Sequence, residues 1–337
     1  MSTFLLKRIC WALLVLLVVA SLTFLLSRVV PADPAAFLAG QNASAETVAR
    51  IRTEYGLDRP LSAQFVGYLA DLLHGDFGLS LRTKRPVSAD LANFLPATLE
   101  LLFASFFGYI VLSLALAVAA ARRPGGKVDA VIRLFTMLGS GIPVFWLGMA
   151  LQFLFFYKLG LFPLGGRFPL RETPPPTHTG FLLVDSVMAG QPDAFFDALR
   201  CLVLPSLAIV LNLLAVGTRM SRAALIQEYG QQYVRTARGK GVGAARILWK
   251  HVFRNALAPL LTVTSMQFGY MISWVILVEV IFGWPGIGLY AYQSFQVLDY
   301  APVVALAVVS TAVFSLINLL LDLAYPLIDP RMRSVRA

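Results

Sequence analysis

The sequence is short of most of what a water-soluble domain is built with. Only 14% of its 337 residues are charged, while 58% are hydrophobic and the mean hydropathy is +0.73. Soluble domains carry about 25% charged residues, so a soluble globular chain is excluded. Disorder is excluded as well, because a chain with 24 Phe and this little charge has more apolar surface than water tolerates. The two cysteines, Cys10 and Cys201, lie in or beside apolar runs and offer neither a disulfide framework nor a zinc site. The three histidines, His74, His178 and His251, fall in separate segments, and neither H-E-x-x-H nor G-x-S-x-G occurs. A nucleotide-binding G-x-x-x-x-G-K-[ST] is missing too: Gly239-Lys240 is followed by Gly and Gly126-Lys127 by Val, so neither supplies a hydroxyl for magnesium. The expectation is a chain that is not an enzyme, hydrolyses no ATP, and holds no cofactor or metal of its own.

What the sequence does have is apolar runs long enough to cross a bilayer, which takes about 20 helical residues. Six qualify: Ile9 to Val30, Pro96 to Ala121, Val131 to Tyr157, Cys201 to Ala224, Leu260 to Phe282 and Ala301 to Ile328. The first follows Lys7 and Arg8 as a signal peptide would, but it exceeds the usual apolar core of roughly 7–15 residues and no clear A-x-A site follows. It is expected to stay as an uncleaved span. The expected fold is therefore an all-α membrane protein of six transmembrane helices, a single domain over 1–337 with an external segment 31–95, core spans 96–328 and a protruding loop 226–258.

An even number of spans puts both termini on one side, and the basic residues say which. That side collects 17 Lys and Arg against 4 acids, a net of +13, including eight basic residues between Arg219 and Arg254. The other side has 11 basic and 13 acidic residues. The first side is expected to be the cytoplasm, and the formal charge of +10 is a topology signal and not a nucleic-acid footprint.

The external segments carry two amphipathic patterns and one stiff stretch. Ser44 is placed to cap a helix in which Val48, Ile51 and Tyr55 share a face and which Gly56 stops. Leu61, Phe65, Tyr68, Leu69, Leu72 and Leu73 form a second stripe ending at Gly75, suited to covering the spans or lying on the outer membrane surface. Between Gly160 and Arg200, Pro174-Pro175-Pro176 makes an extended stretch with His178 after it, read as a solvated loop residue.

The most informative segment runs from Glu228 to Pro259 on the basic side. Helical periodicity extends to Arg238, Gly239, Gly241 and Gly243 permit the positive φ of a reversal, and a second helix starts near Ala244. Arg246, Lys250 and Arg254 recur every four residues as one basic stripe. Attraction to anionic lipid headgroups accounts for such a stripe. It does not account for a glycine-rich tip with a small Ala237, which suits a groove in another protein.

Tyr233-Val-Arg-Thr-Ala-Arg-Gly-Lys-Gly241 and His251-Val-Phe-Arg-Asn-Ala-Leu-Ala-Pro259 resemble the EAA loop of permease subunits of binding-protein-dependent ABC importers, in the dipeptide/oligopeptide/nickel branch. Glu-Ala-Ala-x-x-x-Gly aligns with Arg235-Thr236-Ala237 and Gly241, so the first two letters differ, as that branch does. Phe282-Gly-Trp-Pro-Gly-Ile-Gly288 is similar to the branch's F-S-W-P-G-L-G, with Gly283 for the usual Ser. Leu95-Pro-Ala-Thr-Leu-Glu100, Thr179-Gly-Phe-Leu-Leu-Val-Asp-Ser186 and Asp329-Pro-Arg-Met-Arg333 extend the resemblance over nearly the whole chain.

The resemblance implies the type I ABC importer permease fold in a bacterial inner membrane, forming half of a translocation pore with a second, homologous permease. It implies two separate ABC ATPase subunits, which hold the ATP and magnesium and receive Arg235, Thr236, Ala237, Arg238, Gly239, Gly241 and Arg246 in a surface groove. It implies an external substrate-binding protein, which largely selects the ligand. The chain looks most like B-type dipeptide permeases; nickel, glutathione or another small ligand on the same machinery is the alternative. A stand-alone channel or secondary transporter is remote, since no internal repeat is visible.

Polar residues inside the spans are few: Asn212, Gln267, Glu279 and Asn318, with Asp322 near the end of the last span. An ionisable group there costs ~2.5–3.5 kcal/mol on insertion scales and so has a partner or a cavity. For Glu279, two readings stand: a structural hydrogen bond or ion pair at a subunit interface, or a place in the translocation path. Trp284, Pro285, Gly286 and Gly288, at the outer end of the fifth span, are either an interfacial anchor with a helix stop or an external gate and docking loop. Gly139-Ser140-Gly141 and Gly269 permit close helix approach, in keeping with a partner permease.

Overall fold

The computed structural model describes residues 2–29, 35, 44–54, 56–169 and 171–328. Among these, all regular structure is helical apart from one bridge between Leu79 and Pro86. The readings of Tyr55, of the Val30 end of the first span, of the Asp322 side chain and of Asp329–Arg333 fall outside the described residues. The helices are α1 (Ser2–Val29), α2 (Ala45–Glu54), α3 (Leu61–Leu73), α4 (Val87–Arg122), α5 (Lys127–Ser140), α6 (Val144–Leu151), α7 (Leu182–Met188), α8 (Pro192–Tyr229), α9 (Gln232–Gly239), α10 (Ala244–Arg246), α11 (Phe253–Phe282), α12 (Ile287–Gln296) and α13 (Tyr300–Ile328). Wider π turns continue α6 over Gln152–Lys158 and join α10 to α11 over Ile247–Val252.

Five helical stretches among the described residues are long and apolar enough to cross a membrane: Leu6–Leu26, Val87–Arg122, Pro192–Tyr229, Ala244–Phe282 and Tyr300–Leu320. The third expected span is not the continuous helix that its apolar run suggests. Lys127–Gly139 and Val144–Lys158 are bent by 106° at an intervening break. Pro143 is the cause: it has no N–H to continue the ladder and disfavours the α conformation at Ile142 before it, while Gly139 and Gly141 add little resistance. With the pair counted as one span, the total is six.

The described residues divide into two compact units, one made of those in 96–286 and 317–328, the other of those in 2–95 and 287–316. In the first, the core runs through Leu101, Tyr109, Leu204, Ile209, Phe268, Met271 and Phe282, all essentially buried. Lipid is as apolar as leucine, so close contact and not hydrophobicity holds such helices together. Gly217 shows how: a Cβ there would come within 2.0 Å of the Tyr109 hydroxyl, so only glycine lets the ring lie on the backbone of α8.

In the second unit, the predicted Ser44 cap is present, its Oγ accepting the Thr47 amide at 3.2 Å, and Gly56 ends α2 at φ 59. Phe65 and Tyr68 of α3 turn inward onto Phe24 of α1, and Tyr68 and Thr23 share a hydrogen bond of 3.1 Å. Leu61 and Leu73 of the same stripe remain exposed. Asp90 accepts from Thr83 Oγ1 at 2.5 Å and Tyr290 Oη at 2.8 Å, and Asp299 accepts from Ser80 Oγ at 2.5 Å and the Arg82 amide at 3.1 Å. These bonds tie the hairpin around Leu79–Pro86 to the start of α4, to Tyr290 of α12 through Asp90, and to the turn between α12 and α13 through Asp299.

Candidate functional site

The loop between α8 and α11 is a foot with a polar tip. Helix α8 runs unbroken to Tyr229, Gly230 and Gln231 turn the chain, and α9 follows. Val234 and Ala237 of α9 pack with Ile247, Leu248, Val252 and Ala256 against Leu225 of α8 and Ala117, Val118 and Ala121 of α4. Tyr233 donates to Glu228 Oε2 at 2.5 Å, closing the turn. Above this base Arg235, Thr236, Arg238, Gly239, Lys240, Gly241 and Arg246 are exposed, and Lys250 and Arg254 continue the basic stripe in the open.

Two details differ from the sequence reading. Gly241 alone among the three tip glycines has positive φ, at 75. Gly239 is the last residue of α9, and Gly243 is an extended N-cap of α10 with φ −62 and ψ 148. One left-handed residue suffices because the helix ends supply the rest of the reversal. Ala237 is 8% exposed and faces the foot, so its small size serves the loop's own packing and not an exposed tip.

At the other end of the same unit, the chain after α11 folds back as a clasp. Gly283 ends the helix at φ 58, and Trp284, 1% exposed, donates from Nε1 to the Ala97 carbonyl at 2.8 Å. The tryptophan therefore does not stand at a lipid interface. Thr98 donates to Glu279 Oε1 at 2.6 Å, and Glu279 is fully buried. Gly286 is buried against that pair, and Pro285 is half-buried. Gly288, buried, opens α12 in the second unit. A second strand of chain completes the clasp: the Gly166 amide donates to the Phe282 carbonyl at 2.8 Å, and a Cβ on Gly165 would come within 2.1 Å of that oxygen.

Two ion pairs were not legible in the sequence. Glu100 accepts from Arg167 Nε at 2.9 Å and Nη2 at 2.7 Å on one oxygen, and from the Leu183 amide at 2.8 Å on the other; Arg167 also reaches the Gly180 carbonyl at 2.6 Å. Asp129 takes a two-bond fork from Arg222. The available signals were a single acid, Asp129, in an otherwise basic segment, and Glu100 at the end of a motif. Asn212, the other polar candidate, donates from Nδ2 to the Ile142 carbonyl at 3.0 Å, at the break between α5 and α6.

The Thr179–Ser186 motif has a local explanation. Asp185 accepts from the Thr179 amide at 2.8 Å, the Thr179 hydroxyl at 2.7 Å and the Gly180 amide at 3.1 Å. Burial pushes its carboxyl up, but these bonds and one from the His178 amide outweigh burial and hold it below the usual range. Because the folded value is depressed, this stabilisation is present above the ordinary carboxylate pKa of about 3.9 and is lost as pH falls through the lower folded value. Amide exchange at 179–181, corrected for intrinsic pH dependence, should accelerate only below pH about 4. In Asp185→Ala it should be roughly tenfold or more faster at neutral pH, with the acid step gone.

These features define the class: a polytopic, all-helical membrane protein with a protruding, basic helix-reversal loop and no nucleotide-binding motif of its own. The family described as "Binding-protein-dependent transport system inner membrane component" matches residues 98–334, and its companion N-terminal family matches residues 1–102. The chain belongs to this family and is a permease component of a binding-protein-dependent transport system. It is 39% identical to "Probable D,D-dipeptide transport system permease protein DdpB" of Escherichia coli (strain K12), over 97% of this chain and 96% of that one. It is 37% identical to "Di/tripeptide transport system permease protein DppB" of Pseudomonas aeruginosa (strain UCBPP-PA14), covering 94% and 95%. "Dipeptide transport system permease protein DppB" of Escherichia coli (strain K12) is 33% identical over 99% of both chains.

Proposed function

We propose that this chain is one half of the translocation path of an ATP-driven importer of short peptides. Two separate ATPase subunits bind and hydrolyse ATP with magnesium, and one of them receives the Gln232–Arg246 tip. A second, homologous permease supplies the other tip, because an ATPase dimer has two grooves and this chain has one such loop. The observation that carries the reading is the foot: an exposed basic tip on a buried base continuous with α4, α8 and α11. A rigid base is what converts closure of a partner into rigid-body motion of spans. The substrate class rests on three relatives whose names specify dipeptides or tripeptides.

Both termini and the 226–258 loop lie in the cytoplasm in this reading, and the 160–200 segment and the clasp face the binding protein. Single cysteines at Lys250 and Lys84, in a Cys10→Ala, Cys201→Ala background, test it with an impermeant thiol reagent. Lys84 should label on intact cells and Lys250 only after permeabilisation; the reverse pattern would invert the topology. For the substrate, cells lacking this chain should lose uptake of labelled dipeptides and keep uptake of nickel. Loss of nickel uptake with dipeptide uptake intact would refute the peptide assignment.

A further inference from the structure

We propose that Asp129 and Arg222 are positioning residues that yoke α5 to α8, so that the two helices move as one body and the break at Gly139–Pro143 is the hinge on which it turns. The inference rests on the reading of the α8–α11 loop as the coupling loop.

Arg222 presents Nε to Asp129 Oδ1 at 2.5 Å and Nη2 to Oδ2 at 2.7 Å, and the Gly125 amide adds a bond of 2.9 Å to Oδ2. Arg133 stands 3.6 Å from the same oxygen. The Asp129 side chain is fully buried and that of Arg222 is 20% exposed. A buried ion pair adds little net stability over apolar packing, so stability alone is a poor reason for this one. A two-bond guanidinium fork does something a single contact does not: it fixes the orientation as well as the distance of the helices that carry it.

A second tie sits further along the same two helices, where Asn212 holds the Ile142 carbonyl at 3.0 Å. Ten residues of α8 separate Asn212 from Arg222, about 15 Å of helix axis. Asp129 and Ile142 span a comparable length of α5 and its end, in the opposite chain direction. Two ties at that spacing leave α5 one register along α8 and no freedom to rotate. Beyond the break, α6 packs on both α8 and α11, but its polar ties leave α8: Gln152, in its π turns, donates to the Leu164 carbonyl at 2.9 Å and the Ile281 carbonyl at 3.4 Å, and Gly148 lies against the Phe282 ring. The halves of the broken span thus share packing against α8 but differ in their polar ties, those of α5 lying on the helix that enters the coupling loop and those of α6 reaching the end of α11. Asn212 satisfies a carbonyl at the break, which is the condition for an interrupted helix at membrane depth.

The test uses the complex assembled with its ATPases and partner permease, without native cysteines, and spin labels at exposed positions. Val131 with Met220 reports on the yoked body; Val131 with Phe153 reports across the break. Between the nucleotide-free and the ATP–vanadate-trapped states, the first distance should stay constant and the second should shift. In Asp129→Asn and Arg222→Gln, the first distribution should broaden and transport per ATP hydrolysed should fall roughly tenfold, the size of an ordinary coupling free energy. Arg222→Lys, which keeps charge but loses the fork, should do the same. A Val131–Met220 distance that changes with nucleotide in the otherwise unchanged chain overturns the yoke, and a fixed Val131–Phe153 distance while other spans move overturns the hinge. If no span responds to nucleotide and Gly241→Arg transports normally, it is the coupling-loop reading that fails.

Discussion

Gly241→Arg should insert and assemble yet transport at no more than background, with ligand-stimulated ATP hydrolysis lost. The position has φ 75 and nothing within 4 Å of where a Cβ would stand, so the folded loop has room for the side chain. What the substitution costs inside the chain is backbone strain of roughly 1–2 kcal/mol, small against a stability of about 5–15. What it costs outside is a long cation at an exposed turn of a tip proposed to enter a groove. Gly241→Ala separates the two, because it carries the strain without the bulk and should keep most transport. Survival of both transport and stimulated ATPase activity in Gly241→Arg, measured in proteoliposomes, would refute the coupling assignment.

Gly286→Ala should sharply reduce the assembled complex. A Cβ at this position would lie 2.1 Å from Glu279 Oε1 and 2.4 Å from Thr98 Oγ1, so one of the pair must leave or the loop must lift. Overpacking costs about 1–3 kcal/mol. Loss of the Thr98 hydroxyl from the buried carboxyl adds roughly 0.5–1.5 kcal/mol, the net worth of an ordinary intramolecular hydrogen bond. If the loop lifts instead, the 2.8 Å bond from Trp284 to Ala97 goes with it. The double change Gly286→Ala with Glu279→Ala should recover part of the loss, since the second removes the two nearest atoms in the way and leaves the Thr98 hydroxyl room to rotate aside. Glu279→Gln alone should keep the Thr98 bond and near-normal transport, while Glu279→Ala should lower assembly. These outcomes follow from a carboxyl that secures the clasp, which its complete burial supports. Full assembly with transport reduced tenfold or more in Glu279→Gln would place the residue in the translocation path instead.

The contrast between Gly241 and Gly286 also marks how far the sequence carries. The six apolar runs were readable because crossing a bilayer is a matter of length and composition, and each run meets that requirement without its neighbours. The side carrying the loop follows from the tally of Lys and Arg, which again needs no contact. The foot and tip were legible in outline, since the helical period stops near Arg238 and resumes near Ala244. Which of Gly239, Gly241 and Gly243 turns the chain was not, because each tolerates positive φ and only the helix ends on either side select one.

What the sequence by itself determined, then, is the class of protein, its spans and the loop that marks its family. The tertiary structure alone decided the inward turn of Ala237, the burial of Trp284 under Ala97, and the partner of Glu279. It alone paired Asp129 with Arg222 across 93 residues and Glu100 with Arg167 across 67. It also decided that the third run breaks, since glycine and proline are common in continuous membrane helices and Asn212, on another helix, is what satisfies this break. The physical reason is one of range: insertion and charge bias act residue by residue along the chain, whereas a buried polar group is satisfied only by whatever folding brings within about 3 Å of it.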